Sequence, residues 1–83
     1  MKVAKIWQAV LEESRNVRFD DLIRLARAFG FELRRVAGSH HILAHPAMPD
    51  LLNLQPGSDG KAKPYQIRQL VALVERHGLK LRA

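Results

Sequence analysis

Val3, Ile6, Trp7, Val10 and Leu11 recur three and four residues apart, which puts them on one helix face and predicts an amphipathic helix over about residues 3–14. The stretch Ser14-Arg15-Asn16-Val17-Arg18 breaks the period. Asp20 is then placed to cap a second helix with a buried stripe of Leu22, Ile23, Ala26 and Phe29, and Gly30 directly after it is the usual left-handed terminator. From Phe31 the period falls to two. Phe31 and Leu33 alternate with Glu32 and Arg34 as in a half-buried strand, and Ala37-Gly38-Ser39 reads as a turn. His40 to His45 reads as a second strand with Ile42 and Ala44 on its core face and His41, Leu43 and His45 on the other. Pro46, Pro49 and Asp50 mark a loop before a short third strand, Leu51 to Gln55, in which Leu52 and Leu54 alternate with Asn53 and Gln55. After a polar turn, Pro56 to Gly60, the segment Lys61-Ala62-Lys63 leads to Pro64, which opens a last helix where a missing amide hydrogen costs nothing. Its core stripe is Ile67, Leu70, Val71 and Val74; His77-Gly78 closes it, and residues 79–83 form a short tail.

The predicted order is α-α-β-β-β-α, an α+β fold with helices packed on one face of a three-stranded antiparallel sheet. Strand parity then leaves Glu32, Arg34, His41, Leu43, His45, Asn53 and Gln55 on the open face, where function is expected. A chain of 83 residues is too short to divide its burial between two cores, so residues 1–83 are expected to form one domain.

Composition narrows the chemistry. With 47% hydrophobic and 27% charged residues the balance is globular, and the absence of cysteine excludes disulfides, thiolate metal sites and cysteine nucleophiles. No run approaches the roughly 20 apolar residues of a spanning helix, and the first residues lack the apolar stretch of a signal peptide, so a cytoplasmic protein with no membrane association is expected. A formal charge of +6 on so small a body favours polyanions, either nucleic acid or an acidic protein. Lys61 and Lys63, just before a helix N-terminus, are placed to hold a phosphate.

Phe29-Gly30-Phe31-Glu32-Leu33, then Gly38-Ser39-His40-His41, then His45-Pro46, then Lys61 to Tyr65 together resemble the HicA toxins over roughly residues 19–76. The predicted helix over residues 3–14 is an N-terminal extension to a HicA-like core over residues 19–77. The resemblance implies a fold like that of double-stranded-RNA-binding domains, a messenger-RNA endoribonuclease, and a HicB-like antitoxin that covers the active face. The free toxin is then expected to be monomeric and to join a larger assembly with its antitoxin. It also implies a catalytic histidine at the second position of the pair, His41, and backbone-gripping lysines at the helix start, Lys61 and Lys63; Arg34 and Ser39 are expected as further RNA contacts.

Imidazole titrates near neutral pH, so a positioned His41 can take the proton of a ribose 2′-hydroxyl and drive its attack on the adjacent phosphate. By parity His40 points towards the helices. His45 lies on the face of His41, but four strand steps of about 3.3 Å separate them by about 13 Å, too far to share one metal or one proton-transfer event. His45 is therefore expected to be a surface residue or a substrate contact, and the cleavage to need no metal or other cofactor. Of the two first-strand arginines only Arg34 has the parity for the open face. Two other readings use the same residues: an RNA-binding module without catalysis, and a protein-interaction domain docking through its open sheet face or edge.

Overall fold

The computed structural model describes residues 1–82; Ala83, the end of the expected tail, lies outside the described residues. The element order is α1 Val3–Leu11, α2 Phe19–Ala28, β1 Glu32–Ala37, β2 His40–His45, β3 Met48–Leu54 and α3 Pro64–His77, the expected α-α-β-β-β-α order of an α+β fold. Both strand pairs are antiparallel and the sheet order is β1-β2-β3.

Helix α1 stops three residues short of the expected end. Glu13 adopts a left-handed φ of 58°, the Ser14 amide donates to the Ala9 carbonyl at 2.9 Å and the Glu13 amide to Val10 at 3.1 Å. That is the double hydrogen bond of a glycine-type helix stop, made here with a residue that pays a steric penalty for it. Ile6 and Val10 of α1 are buried in the same cluster as α2 and the sheet, and Trp7 meets Phe29 edge to face at 4.8 Å. The extension helix is thus part of the core. Truncating Ile6, 1% exposed, to alanine is expected to cost about 2–5 kcal/mol in a denaturant melt, whereas a merely appended helix would leave the midpoint unchanged.

Helix α2 begins one residue before the expected cap. Arg18 holds the cap position without a side-chain bond, and Asp20 and Asp21 lie inside the first turn, where their charges suit the helix dipole. The free amide of Phe19 donates instead to the Gly60 carbonyl at 3.1 Å. Leu22, Ala26 and Phe29 are buried as expected, with Leu25 in the place foreseen for Ile23, which is half-buried. Gly30 ends the turn at φ 102°, with the Phe31 amide donating to Ala26 and that of Gly30 to Arg27. Gly78, φ 59°, ends α3 in the same manner. The following tail returns to α2, where the Arg82 amide donates to the Ala28 carbonyl at 2.8 Å.

The sheet corrects three expectations. First, the hairpin between β2 and β3 is only Pro46-Ala47; strand β3 starts at Met48, and a register shift after Ala44 absorbs residues that looked like a long loop. Second, parity in β2 is inverted. Leu43 pairs with Leu52, both fully buried under the helices, so His41, Leu43 and His45 face the helices while His40, Ile42 and Ala44 face outward. The core selected one leucine flanked by histidines over an isoleucine and an alanine, because Leu43 lies level with Leu52, and Leu54 continues the same buried row. Third, a bulge between Leu33 and Arg35 leaves Arg34 without a cross-strand partner and puts Arg35 opposite Ile42 on the outward face. Beyond the bulge Val36, not an arginine, pairs with His41.

Among the described residues no helix is long and apolar enough to cross a membrane. In α3 the buried side chains are Gln66, Leu70, Leu73 and Val74, while Ile67 and Val71 are half-buried and turn towards the C-terminal end of α1.

Candidate active site at the start of the second strand

His41 is the second residue of β2, on the helix-side face but at its rim, between exposed Val36 on β1 and fully buried Leu54 on β3. It is half-buried. Its Nδ1 lies 3.0 Å from the Ser39 carbonyl oxygen, which can only accept, so Nδ1 carries the hydrogen. In the neutral ring the lone pair is then on Nε2. The ring stands edge to face against Phe19 at 4.9 Å, and Phe19, 5% exposed, is itself fixed at the start of α2. A carbonyl on one side and a buried aromatic on the other set both the tautomer and the orientation of the imidazole.

The segment that leads into α3 is stitched to the same place. Arg18 and Lys61 form an antiparallel bridge, flanked by the Phe19-to-Gly60 bond and by the Ala62 amide donating to the Val17 carbonyl at 2.9 Å. Arg18, paired with Lys61 across this bridge, is the chain neighbour of Phe19, the residue that packs on His41. The Lys61 ammonium donates to Asn16 Oδ1 at 3.2 Å, and Lys63 occupies the cap position of α3. Lys61 is linked to the neighbourhood of His41 through its backbone bridge to Arg18, and Lys63 follows two residues later. Ser39 belongs to that neighbourhood through its backbone carbonyl, with its side chain exposed on the turn; Arg34 stands at the β1 bulge, away from this stitched segment.

The other two histidines of the strand take roles opposite to those expected. His40 is exposed on the outer face, where its Nδ1 donates to Asn53 Oδ1 at 3.2 Å. His45 is 8% exposed, with both nitrogens used: Nε2 donates to the Phe29 carbonyl at 3.0 Å and Nδ1 accepts the Ala47 amide at 3.0 Å. A ring so bonded is a structural pin between the β2-β3 hairpin and the end of α2, neither surface residue nor substrate contact. Arg18 and the orienting role of Phe19 escaped the sequence pattern, since an arginine in an interrupting stretch and a phenylalanine at core spacing carry no signal of their own.

Fold and site together define a small α+β protein with a tautomer-fixed, half-buried imidazole at the rim of its sheet. The model of the HicA toxin family of bacterial toxin–antitoxin systems matches residues 19–80, most of the chain, and the protein belongs to that family. No curated protein matches the chain. Phe19, Ser39, His41, Lys61 and Lys63 lie inside the matched span, whereas Arg18 and α1 lie outside it.

Proposed function

We propose that this chain is a ribonuclease toxin acting on messenger RNA in the cytoplasm, with His41 as general base, and that residues 1–83 work as one domain. The observation behind this reading is the Nδ1–H bond to the Ser39 carbonyl, which leaves Nε2 unprotonated in the neutral ring of a half-buried histidine. Nε2 takes the proton of a 2′-hydroxyl, the 2′-oxygen attacks the neighbouring phosphorus, and the 5′-oxygen departs and takes a proton from solvent. The products are a 2′,3′-cyclic phosphate and a free 5′-hydroxyl. Arg18, Lys61 and Lys63 supply positive charge for the phosphate as it gains negative charge in the transition state. A HicB-like antitoxin fits as the inhibitor, docking over His41 and the exposed Val36 beside it. The free toxin is then a monomer.

The test is incubation of purified protein with single-stranded RNA in EDTA, followed by product analysis. Cyclic-phosphate ends are expected, and an otherwise identical RNA with deoxyribose at the scissile position is expected to stay whole. Cleavage of that deoxy-substituted strand would remove the 2′-hydroxyl mechanism, and a protein that binds RNA without cutting it would leave a binding module.

A further inference from the structure

The extension helix does more than complete the core. Its C-terminal end and α3 form the two walls of a groove of about 1230 Å³, larger than the roughly 300–1,000 Å³ typical of a small-molecule pocket. Its apolar lining includes Val10 from α1 and Ile67 and Val71 from α3. Along it stand four cations: Arg15 from the segment after α1, Lys61 and Lys63 from the segment before α3, and Arg68 from α3 itself. Three carboxylates also line it. Asp59 is engaged by the Lys61 amide at 3.0 Å, Glu13 belongs to the helix stop, and Glu75 lies two turns along α3 from Arg68.

We infer that this groove holds the single-stranded RNA that runs on from the scissile phosphate, with Arg15 and Arg68 as phosphate contacts beyond the His41 site; the inference rests on the ribonuclease reading. Lys61 belongs to both places. It lines the groove, and its backbone bridges to Arg18, whose neighbour Phe19 packs on His41, so the groove adjoins the segment that holds the His41 ring. The four cations suit a phosphate backbone, and the aliphatic side chains between them offer apolar contact to unpaired bases, which a duplex would keep turned inward. Arg15 lies outside the span matched by the family, so the extension lengthens the RNA track of this particular toxin.

Binding is measured on the full chain carrying His41→Ala, so that RNA stays intact, by fluorescence anisotropy of a labelled single-stranded oligoribonucleotide across a salt series. Adding Arg15→Gln with Arg68→Gln is expected to weaken binding about tenfold and to make the plot of log affinity against log salt shallower by up to about 1.4, near 0.7 per lost phosphate contact. Lys2→Gln with Lys5→Gln removes the same charge from the far end of α1 and is expected to change affinity by less than about twofold. Equal weakening by the two pairs would reduce the effect to net charge and overturn the inference. No weakening by the Arg15 and Arg68 pair would overturn it as well, leaving the groove to a protein ligand. Failure of the ribonuclease reading shows separately, as uncut RNA with the wild-type chain, while the anisotropy comparison still reports on the groove.

Discussion

His41→Ala is expected to lower the rate of RNA cleavage about 10²–10⁴-fold, the range that one positioned general base contributes, while the protein stays folded. The two halves of that expectation have different physical sources. Catalytic loss follows because no other imidazole replaces it: His40 is bonded to Asn53 on the outer face, His45 has both nitrogens occupied in the core, and His77 lies against Asp50 Oδ2 at 3.4 Å, bridging α3 to β3. The fold survives because His41 sits at the rim, and its chief packing partner is one edge-to-face contact with Phe19. Such a pair is worth about 0.5–1.5 kcal/mol, which lowers the melting temperature by several degrees without unfolding the chain at 25 °C. His41→Gln separates chemistry from shape more cleanly, since an amide nitrogen can still donate to the Ser39 carbonyl but has no base to offer. Equal loss in the two variants supports proton transfer. Activity retained in His41→Gln would show that the side chain only positions RNA, and activity retained in both would move the chemistry to another residue.

How much of this was legible in the sequence depended on whether a signal was local. The turns at Gly30, Gly38 and Gly78 and the start of α3 at Pro64 were readable because each turns on one residue's own backbone preference, a positive φ or a missing amide hydrogen. The end of α1 was not, because Glu13 takes the left-handed position without the glycine that announces it. Strand parity failed for a different reason. Within β2 an alternation of Ile42 and Ala44 against Leu43 fits either face, and the choice was made by Leu52 and Leu54 on a neighbouring strand, beyond any local window. The Leu33/Arg35 bulge then shifted the remainder of β1 by one residue, which no composition rule foresees.

The inversion of parity left His41 in the functional reading, but with a changed environment. An open sheet face would have given a histidine surrounded by solvent; the rim of the helix-covered face gives one whose ring is held by a carbonyl and an aromatic edge. Pre-organisation of that kind is what a general base needs. The same inversion turned His45 from a surface residue into a core one, and its burial is tolerable only because both ring nitrogens are bonded.

Gly30→Ala is the second large expected effect, and it acts on stability. Two penalties coincide there. The backbone φ of 102° is costly for any residue with a side chain, about 1–2 kcal/mol, and a Cβ on Gly30 would stand 2.6 Å from His45 Nε2. His45 cannot step aside without breaking its buried bond to the Phe29 carbonyl, a loss of about 1–3 kcal/mol. Together these amount to about 2–5 kcal/mol, a large part of the roughly 5–15 kcal/mol that keeps a domain folded. The steric half can be isolated by a double-mutant cycle with His45→Ala, which removes the atom that the new methyl group meets. Denaturant melts of the four proteins are expected to show the double variant less destabilised than the sum of the single ones, by about 0.5–3 kcal/mol. Strict additivity would mean that backbone strain alone is at work and that the two residues are not coupled. The pair lies at the far end of β2 from His41, so single-turnover cleavage by the folded fraction of Gly30→Ala is expected to match the wild type. One six-residue strand would then carry its chemistry at one end and its anchor to the helices at the other, with histidine serving both through opposite states of its nitrogens: one lone pair free at His41, none free at His45.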